Sequence, residues 1–306
     1  MGEAFDDAEP RLSAVSSRFE SLAEVLATPV LTADAEGLVD YANPAARELF
    51  WLSDEQLHGK GWLGAVHDDE RDAVAREAHH VDATGTAAIA EFRLDVAGQP
   101  RWARFNAVPA ADGSGHGWVA IFDDITSDRA TAEDLARLAT HDTLTGLANR
   151  ALLLDHFDLA QARCLRHQLP LAVSFIDLDR FKSINDRYGH HVGDEVLRTM
   201  SARIVASVRT EDTAARLGGD EFVVLAEGVS REASEVLAQR LVDAAAAPMS
   251  LDGKVLELGA SVGIAWTERP EETPDQLLER ADKGMYLAKH RRRACAFGDP
   301  EPAPET

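Results

Sequence analysis

Leu171-Ala172-Val173-Ser174-Phe175-Ile176-Asp177-Leu178-Asp179-Arg180-Phe181-Lys182 decides the fold of the C-terminal half. Leu171–Ile176, apolar but for Ser174, reads as a central strand buried on both faces. It runs straight into Asp-x-Asp, which places carboxylates at the C-terminal edge of the strand, where open α/β sheets bind ligands. Strand side chains alternate, so Asp177 and Asp179 are expected on one face. A helix beginning near Arg180–Lys182 offers free backbone N–H groups to phosphate oxygens, and Lys182 adds a positive charge there.

Working outward, Arg216-Leu217-Gly218-Gly219-Asp220-Glu221-Phe222 reads as a hairpin turning at Gly218-Gly219 between the strands Thr213–Leu217 and Phe222–Ala226. Its far side carries adjacent carboxylates, Asp220 and Glu221. If this hairpin lies beside the Asp177 strand, three or four carboxylates converge. They would repel one another unless divalent cations sit among them, and hard oxygen donors select Mg²⁺ or Mn²⁺. Taken singly, either segment is more often a plain loop. Helices over Leu152–Gln168, Gly193–Val208, Arg231–Ala247 and Thr273–His290, and a strand over Val255–Trp266, complete an alternating pattern that predicts an α/β layer fold. The tail Asp299–Thr306 is rich in Pro and Glu and reads as disordered.

The N-terminal half has a different rhythm. Helical apolar spacing through Ala27 precedes strands at Val30–Ala33 and Leu38–Ala42, with a turn at Asp34–Gly37. Asn43-Pro44 opens a short helix, and Glu70–His80 is helical. Strands follow at Ala87–Leu94, Arg101–Val108 and Trp118–Ile125, separated by turns at Gly98-Gln99-Pro100 and Asp112–Gly117. This is a small antiparallel-sheet domain. Asp124–Thr140 then reads as one connecting helix, either a solvated linker or a short coiled-coil stalk.

The 306 residues suffice for two domains, and a formal charge of −22 argues against a nucleic-acid-binding surface. No apolar run reaches the ~18–20 residues of a membrane span. The first thirty residues lack the pattern of a signal peptide. Cys164 and Cys295 do not make a disulfide framework, and a cytoplasmic setting is expected.

The Tyr41-Ala42-Asn43-Pro44-Ala45-Ala46 segment, His67-Asp68-Asp69-Glu70-Arg71 and the closing Phe122-Asp123-Asp124-Ile125-Thr126 resemble a PAS domain. Gly218–Phe222 spells Gly-Gly-Asp-Glu-Phe, and with it the chain resembles the GGDEF family of diguanylate cyclases. His141-Asp142-Thr143-Leu144-Thr145-Gly146-Leu147-Ala148-Asn149-Arg150, Tyr188–Asp194 and Ala281–Lys289 are similar to that family's other motifs. The resemblance implies an N-terminal helical extension (1–17), a PAS sensor (18–127), a signalling helix (128–140), a palm-like α/β catalytic domain (141–297) and a tail (298–306). It implies condensation of two GTP into cyclic di-GMP by a homodimer, with Mg²⁺ held by Asp177, Asp220 and the Leu178 carbonyl. Asp220 and Glu221 would be the catalytic carboxylates, Asp220 assisting deprotonation unless metal ligation alone suffices, and Glu221 supporting the metal site or its charge balance. Asn185 and Asp194 would hold guanine, and Phe181, Lys182, His190, Lys289 and Arg293 would complete the substrate site. A carboxylate accepts from guanine N1–H and N2–H₂, whereas adenine presents an acceptor at N1. After Lys289 the family continues Lys-x-x-Gly-Arg-Asn; here Arg292 and Ala294 replace the Gly and the Asn, which puts the path of the final turn in doubt.

Arg209-Thr210-Glu211-Asp212 has the spacing of the family's inhibitory product site, in which Arg209 and Asp212 would bind cyclic di-GMP; a plain helix-end ion pair is the alternative. His79 and His80 read as exposed rather than as haem ligands. No cysteine is available in the N-terminal half for a flavin adduct. The sequence does not name a PAS ligand. The competing readings are a nucleotide receptor without turnover, a cyclase for another nucleotide, and a scaffold with vestigial catalysis.

Overall fold

A computed structural model describes residues 18–110, 117–251, 253–268, 270–291 and 294–298, the side chain of Asp82 apart. The extension expected over 1–17, most of the Asp112–Gly117 turn, Arg293 and the 299–306 tail lie outside these residues. The chain divides into two compact units, Met1–Glu133 and Asp134–Thr306.

In the first unit a helix over 18–25 (α1) precedes β1 (Val30–Ala33), β2 (Val39–Ala42), α2 (Pro44–Phe50), α3 (Asp54–Leu57), a 3₁₀ turn (Gly61–Ala65) and α4 (Asp68–Thr84). Then come β3 (Ala88–Val96), β4 (Gln99–Pro109) and β5 (Trp118–Asp124), giving an antiparallel sheet ordered β2-β1-β5-β4-β3. The buried Asn43 ties the early elements together. Its Oδ1 accepts from the N–H groups of Ala46, as the N-cap of α2, and of Val30, both at 2.9 Å. Its Nδ2 donates to the carbonyls of Ala23 and Thr28. Phe122 anchors the core, meeting the rings of Phe50, Trp62, Phe92 and Phe105 at centroid distances of 5.1–6.5 Å. Trp62 and Trp118 are core residues, whereas His79, His80 and Trp51 are exposed. The β3–β4 turn is tighter than expected: Val96 pairs with Gln99, so Ala97 and Gly98, at φ 50° and 76°, make it alone and Gln99-Pro100 belong to the strand. Helix α5 (Thr126–Thr140) follows with no buried residue.

The second unit contains α6 (Arg150–His167), β6 (Leu171–Leu178), α7 (Phe181–Tyr188), α8 (His190–Ser207), β7 (Thr213–Gly218), β8 (Glu221–Glu227) and α9 (Arg231–Ala246). It closes with β9 (Met249–Leu251), β10 (Lys254–Leu256), β11 (Ala260–Thr267), α10 (Pro274–Arg291) and β12 (Cys295–Phe297). The main sheet runs β12-β11-β6-β8-β7, with β6 at its centre and antiparallel to both neighbours. Alternation sorts β6 between two cores. Val173 and Phe175 pack with α6 and α10 residues such as Phe157, Leu277 and Ala281. Ala172 and Ile176 pack with α8 and α9 residues such as Val196, Met200, Leu237 and Leu241.

Two expectations fail here. Val255–Trp266 is not one strand: β10 pairs with β9 in a separate hairpin, and β11 starts only at Ala260. The short β12 was not anticipated. It lies parallel to β11 at the sheet edge, and Gly298 still donates to the Ile264 carbonyl at 3.0 Å, although the tail was expected to begin there. Among the described residues no helix is long and apolar enough to cross a membrane.

Candidate active site

Because β6 and β8 are antiparallel, the C-terminal end of one meets the N-terminal end of the other. Asp177 is register partner to Glu221, and the Leu178 N–H donates to the Asp220 carbonyl at 3.3 Å. Three carboxylates therefore share one end of the sheet. The hairpin that delivers two of them is shifted by one residue from the expected Gly218-Gly219 turn. Gly218 already pairs with Glu221, so Gly219 and Asp220 are the connecting residues, with Gly219 at φ 50°.

Burial, reinforced by the charge of Asp177, pushes the Asp220 carboxyl above its usual range. Glu221 is raised by burial and then by Asp177 and Asp220. The counter-charge comes from Lys289 near the end of α10, whose Nζ donates to Asp177 Oδ1 at 2.6 Å. That hydrogen bond raises the lysine's own pKa, helped by the charges of Asp177, Asp179 and Asp220. Asp179, the optional fourth member of that cluster in the sequence, also accepts from the Ser261 hydroxyl at 2.9 Å. Among the described residues no three acidic, histidine or cysteine side chains form a ready cage for a metal ion.

The chain turns from β6 into α7 through Arg180, which holds φ 62° at the N-cap. Phe181 is buried against the α8 side of the sheet, and Lys182 is exposed on the first turn of α7. Asn185 and Asp194, from α7 and α8, are both half-buried. Asn185 lies directly over Gly193, where any Cβ would strike its Oδ1. This lets the two helices approach with Asn185 beside the residue preceding Asp194. His190 is exposed at the first residue of α8. A groove of about 1050 Å³ opens alongside, walled by Asp179, Arg180, Ser183, Arg187 and Lys289.

The hairpin is pinned from its other side by Arg216, for which no role was expected. The Arg216 guanidinium donates to both Asp142 oxygens, at 2.9 and 3.0 Å, and to the Gly219 carbonyl at 2.7 and 3.0 Å. Asp142 also accepts from the backbone and hydroxyl of Thr145. Burial alone would raise the Asp142 carboxyl, but the Thr145 and Arg216 hydrogen bonds outweigh it and hold it below the usual range.

A family model described as "Diguanylate cyclase, GGDEF domain" matches residues 139–295, just over half of the chain. The chain belongs to the GGDEF family. A second model, described as "PAS fold", matches residues 23–130. Over 94% of this chain, an uncharacterized protein, y4lL, of Sinorhizobium fredii is 34% identical; the match covers 36% of that relative. Diguanylate cyclase TpbB of Pseudomonas aeruginosa is 39% identical over 61% of this chain and 45% of its own. The chain thus spans less than half the length of these curated relatives. A solved structure of the coiled coil and GGDEF domain of DgcB from Caulobacter crescentus, in complex with c-di-GMP, is 28% identical, with a TM-score of 0.50. It covers 56% of this chain and 92% of that one.

A second concavity of the GGDEF domain, about 640 Å³, is lined by Arg209, Asp212, His156, Leu159 and Arg163. Asp212 Oδ2 accepts from the Arg209 backbone N–H at 2.9 Å, while its Oδ1 is buried without a hydrogen-bond partner. Burial pushes this carboxyl above its usual range. The sequence supplied Arg209 and Asp212 but not the α6 wall. The signal it did contain for Asp142 was the Asp-x-x-Thr spacing, which favours a side-chain-closed turn.

Proposed function

We propose that the chain is a diguanylate cyclase, condensing two GTP into cyclic di-GMP and two pyrophosphates. The observation carrying this reading is the register that sets Asp177 beside Glu221, with Asp220 across from Leu178. The donors are hard oxygens, too few and too loosely gathered for an all-protein cage. That suits Mg²⁺, which is usually held by one or two carboxylates plus substrate phosphates. Asp177, Asp220 and the Leu178 carbonyl would hold the ion, and Mn²⁺ would also fit. Bound there, it would withdraw charge from the phosphate and lower the pKa of the attacking hydroxyl.

The chain's own groups do the rest. Asn185 and Asp194 would read the guanine edge, with Phe181 and His190 beside them. Lys182, Lys289 and Arg293 would neutralise the triphosphate. Asp220, beside the attacking 3′-hydroxyl, would assist its deprotonation either directly or through the ion it holds, and Glu221 would balance the charge of the ion. The 3′-oxygen forms a bond to the α-phosphorus of the second nucleotide as pyrophosphate leaves, and the second half-reaction repeats this. Each domain holds one nucleotide, so two copies must face each other as a homodimer. The exposed Leu135 and Leu138 on α5 supply apolar surface for such a pairing, through which the PAS domain would regulate turnover.

Product inhibition rests on the groove at Arg209 and Asp212. Arg209 and Asp212 line it together, and an arginine suits stacking on guanine or a forked phosphate contact. The c-di-GMP complex of the related DgcB supports a domain of this family taking that ligand.

The test is incubation of the purified chain with GTP and Mg²⁺, with the product read by mass spectrometry and ATP as the control. Cyclic di-GMP from GTP alone, lost in Asp220→Ala, is expected. Intact GTP after prolonged incubation would favour a nucleotide receptor instead.

A further inference from the structure

Resting on the cyclase reading, we propose that Asp179 serves the site as a positioning residue and not as a cation ligand. The two acids of Asp-x-Asp look equivalent in the sequence, but their surroundings differ. Asp177, the penultimate residue of β6, sits among Glu221, Asp220 and Lys289. Asp179 lies just past the end of the strand and is engaged from the opposite side, by β11 and the residue before it. Its N–H donates to the Gly259 carbonyl at 2.9 Å, and its Oδ1 accepts from the Ser261 hydroxyl at 2.9 Å. Its Oδ2 is packed against Gly259, where a Cβ would stand only 2.7 Å away. Ser261 is 5% exposed and is itself the register partner of Asp177.

Asp179 Oδ1 is thereby bonded to β11, and Oδ2 lies against Gly259, the residue before that strand. The segment between the acids is clamped from two sides, by Leu178 N–H on the Asp220 carbonyl and by Asp179 on Gly259 and Ser261. Immediately afterwards Arg180 reverses the chain at φ 62° into α7. The direction of the Leu178 carbonyl and of the first α7 amides is therefore fixed by where Asp179 sits. A side chain used this way is needed as a hydrogen-bond acceptor, not as a negative charge.

That distinction is measurable without turnover. Mn²⁺ binding to the full chain would be followed by electron paramagnetic resonance in the presence of 3′-deoxy-GTP, which lacks the attacking hydroxyl. Asp179→Asn, whose amide oxygen still accepts from Ser261, should keep Mn²⁺ affinity within about 3-fold, whereas Asp179→Ala and Ser261→Ala should each weaken it about 10- to 100-fold. The double variant should be no weaker than Asp179→Ala alone, since both changes remove one interaction. Ser261→Ala leaves the backbone and charge untouched and decides the matter if Asp179→Ala does not fold. Loss of affinity in Asp179→Asn as severe as in Asp179→Ala would overturn the proposal alone, because the charge would then be what the ion needs. Failure of the unaltered chain to take up Mn²⁺ with the nucleotide would overturn the cyclase reading, and this proposal with it.

Discussion

The sheet of the first unit hides one face, and the sheet of the second hides two. Along β3, β4 and β5 buried and exposed positions alternate, and Ile89, Val108 and Ile121 remain on the open side. Along β6 every residue from Leu171 to Ile176 is buried, and exposure begins only at Asp177. In a one-sided sheet, polar side chains can be scattered along every strand at little cost. In a two-sided sheet charged side chains are driven to the strand ends, because a charge between two helical layers loses its hydration, and only a small hydroxyl, Ser174, lies mid-strand. The acids of β6 and β8 therefore collect where chemistry is possible, and the aromatic core of the first sheet collects where it is not. The difference teaches where each half places its polar groups: the second at a strand end, the first along the open face of its sheet.

The sharpest way to break the comparison is to damage each sheet at its defining point. Asp177→Ala should lower turnover of GTP about 1000-fold, equivalent to about 4 kcal/mol of barrier, while the denaturation midpoint moves little. A steady-state assay beside a denaturant titration checks both. Phe122→Ala should do the reverse, destabilising the first unit by about 3–5 kcal/mol through the cavity left among four rings. A large loss of folding stability from Asp177→Ala would mean that the acidic end is structural after all.

How much of this was legible follows from the same contrast. The strand β6 was readable because two-sided burial writes an apolar run, and the Gly-Gly-Asp-Glu turn because a tight hairpin needs glycine. Local sequence carried both. The Arg216–Asp142 pair spans 74 residues and the Ser261–Asp179 bond 82, and no periodicity encodes such partners. The run Val255–Trp266 misled because its β-forming residues continue across a chain that leaves one sheet after Leu256 and joins another at Ala260. Cys295–Phe297 was too short to announce a strand, and its pairing with β11 exists only once α10 has brought it back.

Smaller effects sharpen the picture of the acidic end. Arg216→Ala leaves Asp142 with only its Thr145 hydrogen bonds and frees the Gly219 carbonyl. With both side chains largely buried, it should cost about 2–3 kcal/mol. The same change in an Asp142→Ala background should cost much less, and this non-additivity, read from denaturant unfolding, separates a shared clamp from two independent contacts. At Arg180 the left-handed backbone predicts that Arg180→Val costs about 1 kcal/mol and Arg180→Gly almost nothing. Equal costs would indicate that the guanidinium, not the backbone, matters there.

The smallest effect concerns protons. Burial and mutual repulsion raise the Asp220 and Glu221 carboxyls in the folded state, so folding favours their protonated forms. Their contribution is then fully present below the unfolded carboxylate range and is lost as pH rises through the folded values. Asp142, held low, behaves oppositely: its contribution is present at neutral pH and fades as pH falls through its folded value. In the metal-free chain Asp220→Asn should therefore raise the thermal midpoint at about pH 7 and leave it little changed at a pH below the ordinary carboxylate range, where the wild-type carboxyl is protonated as well. Melts at the two pH values decide it. A higher midpoint at both would point to packing and not charge, and a lower midpoint at neutral pH would show that the acidic end is held by its charges and not strained by them.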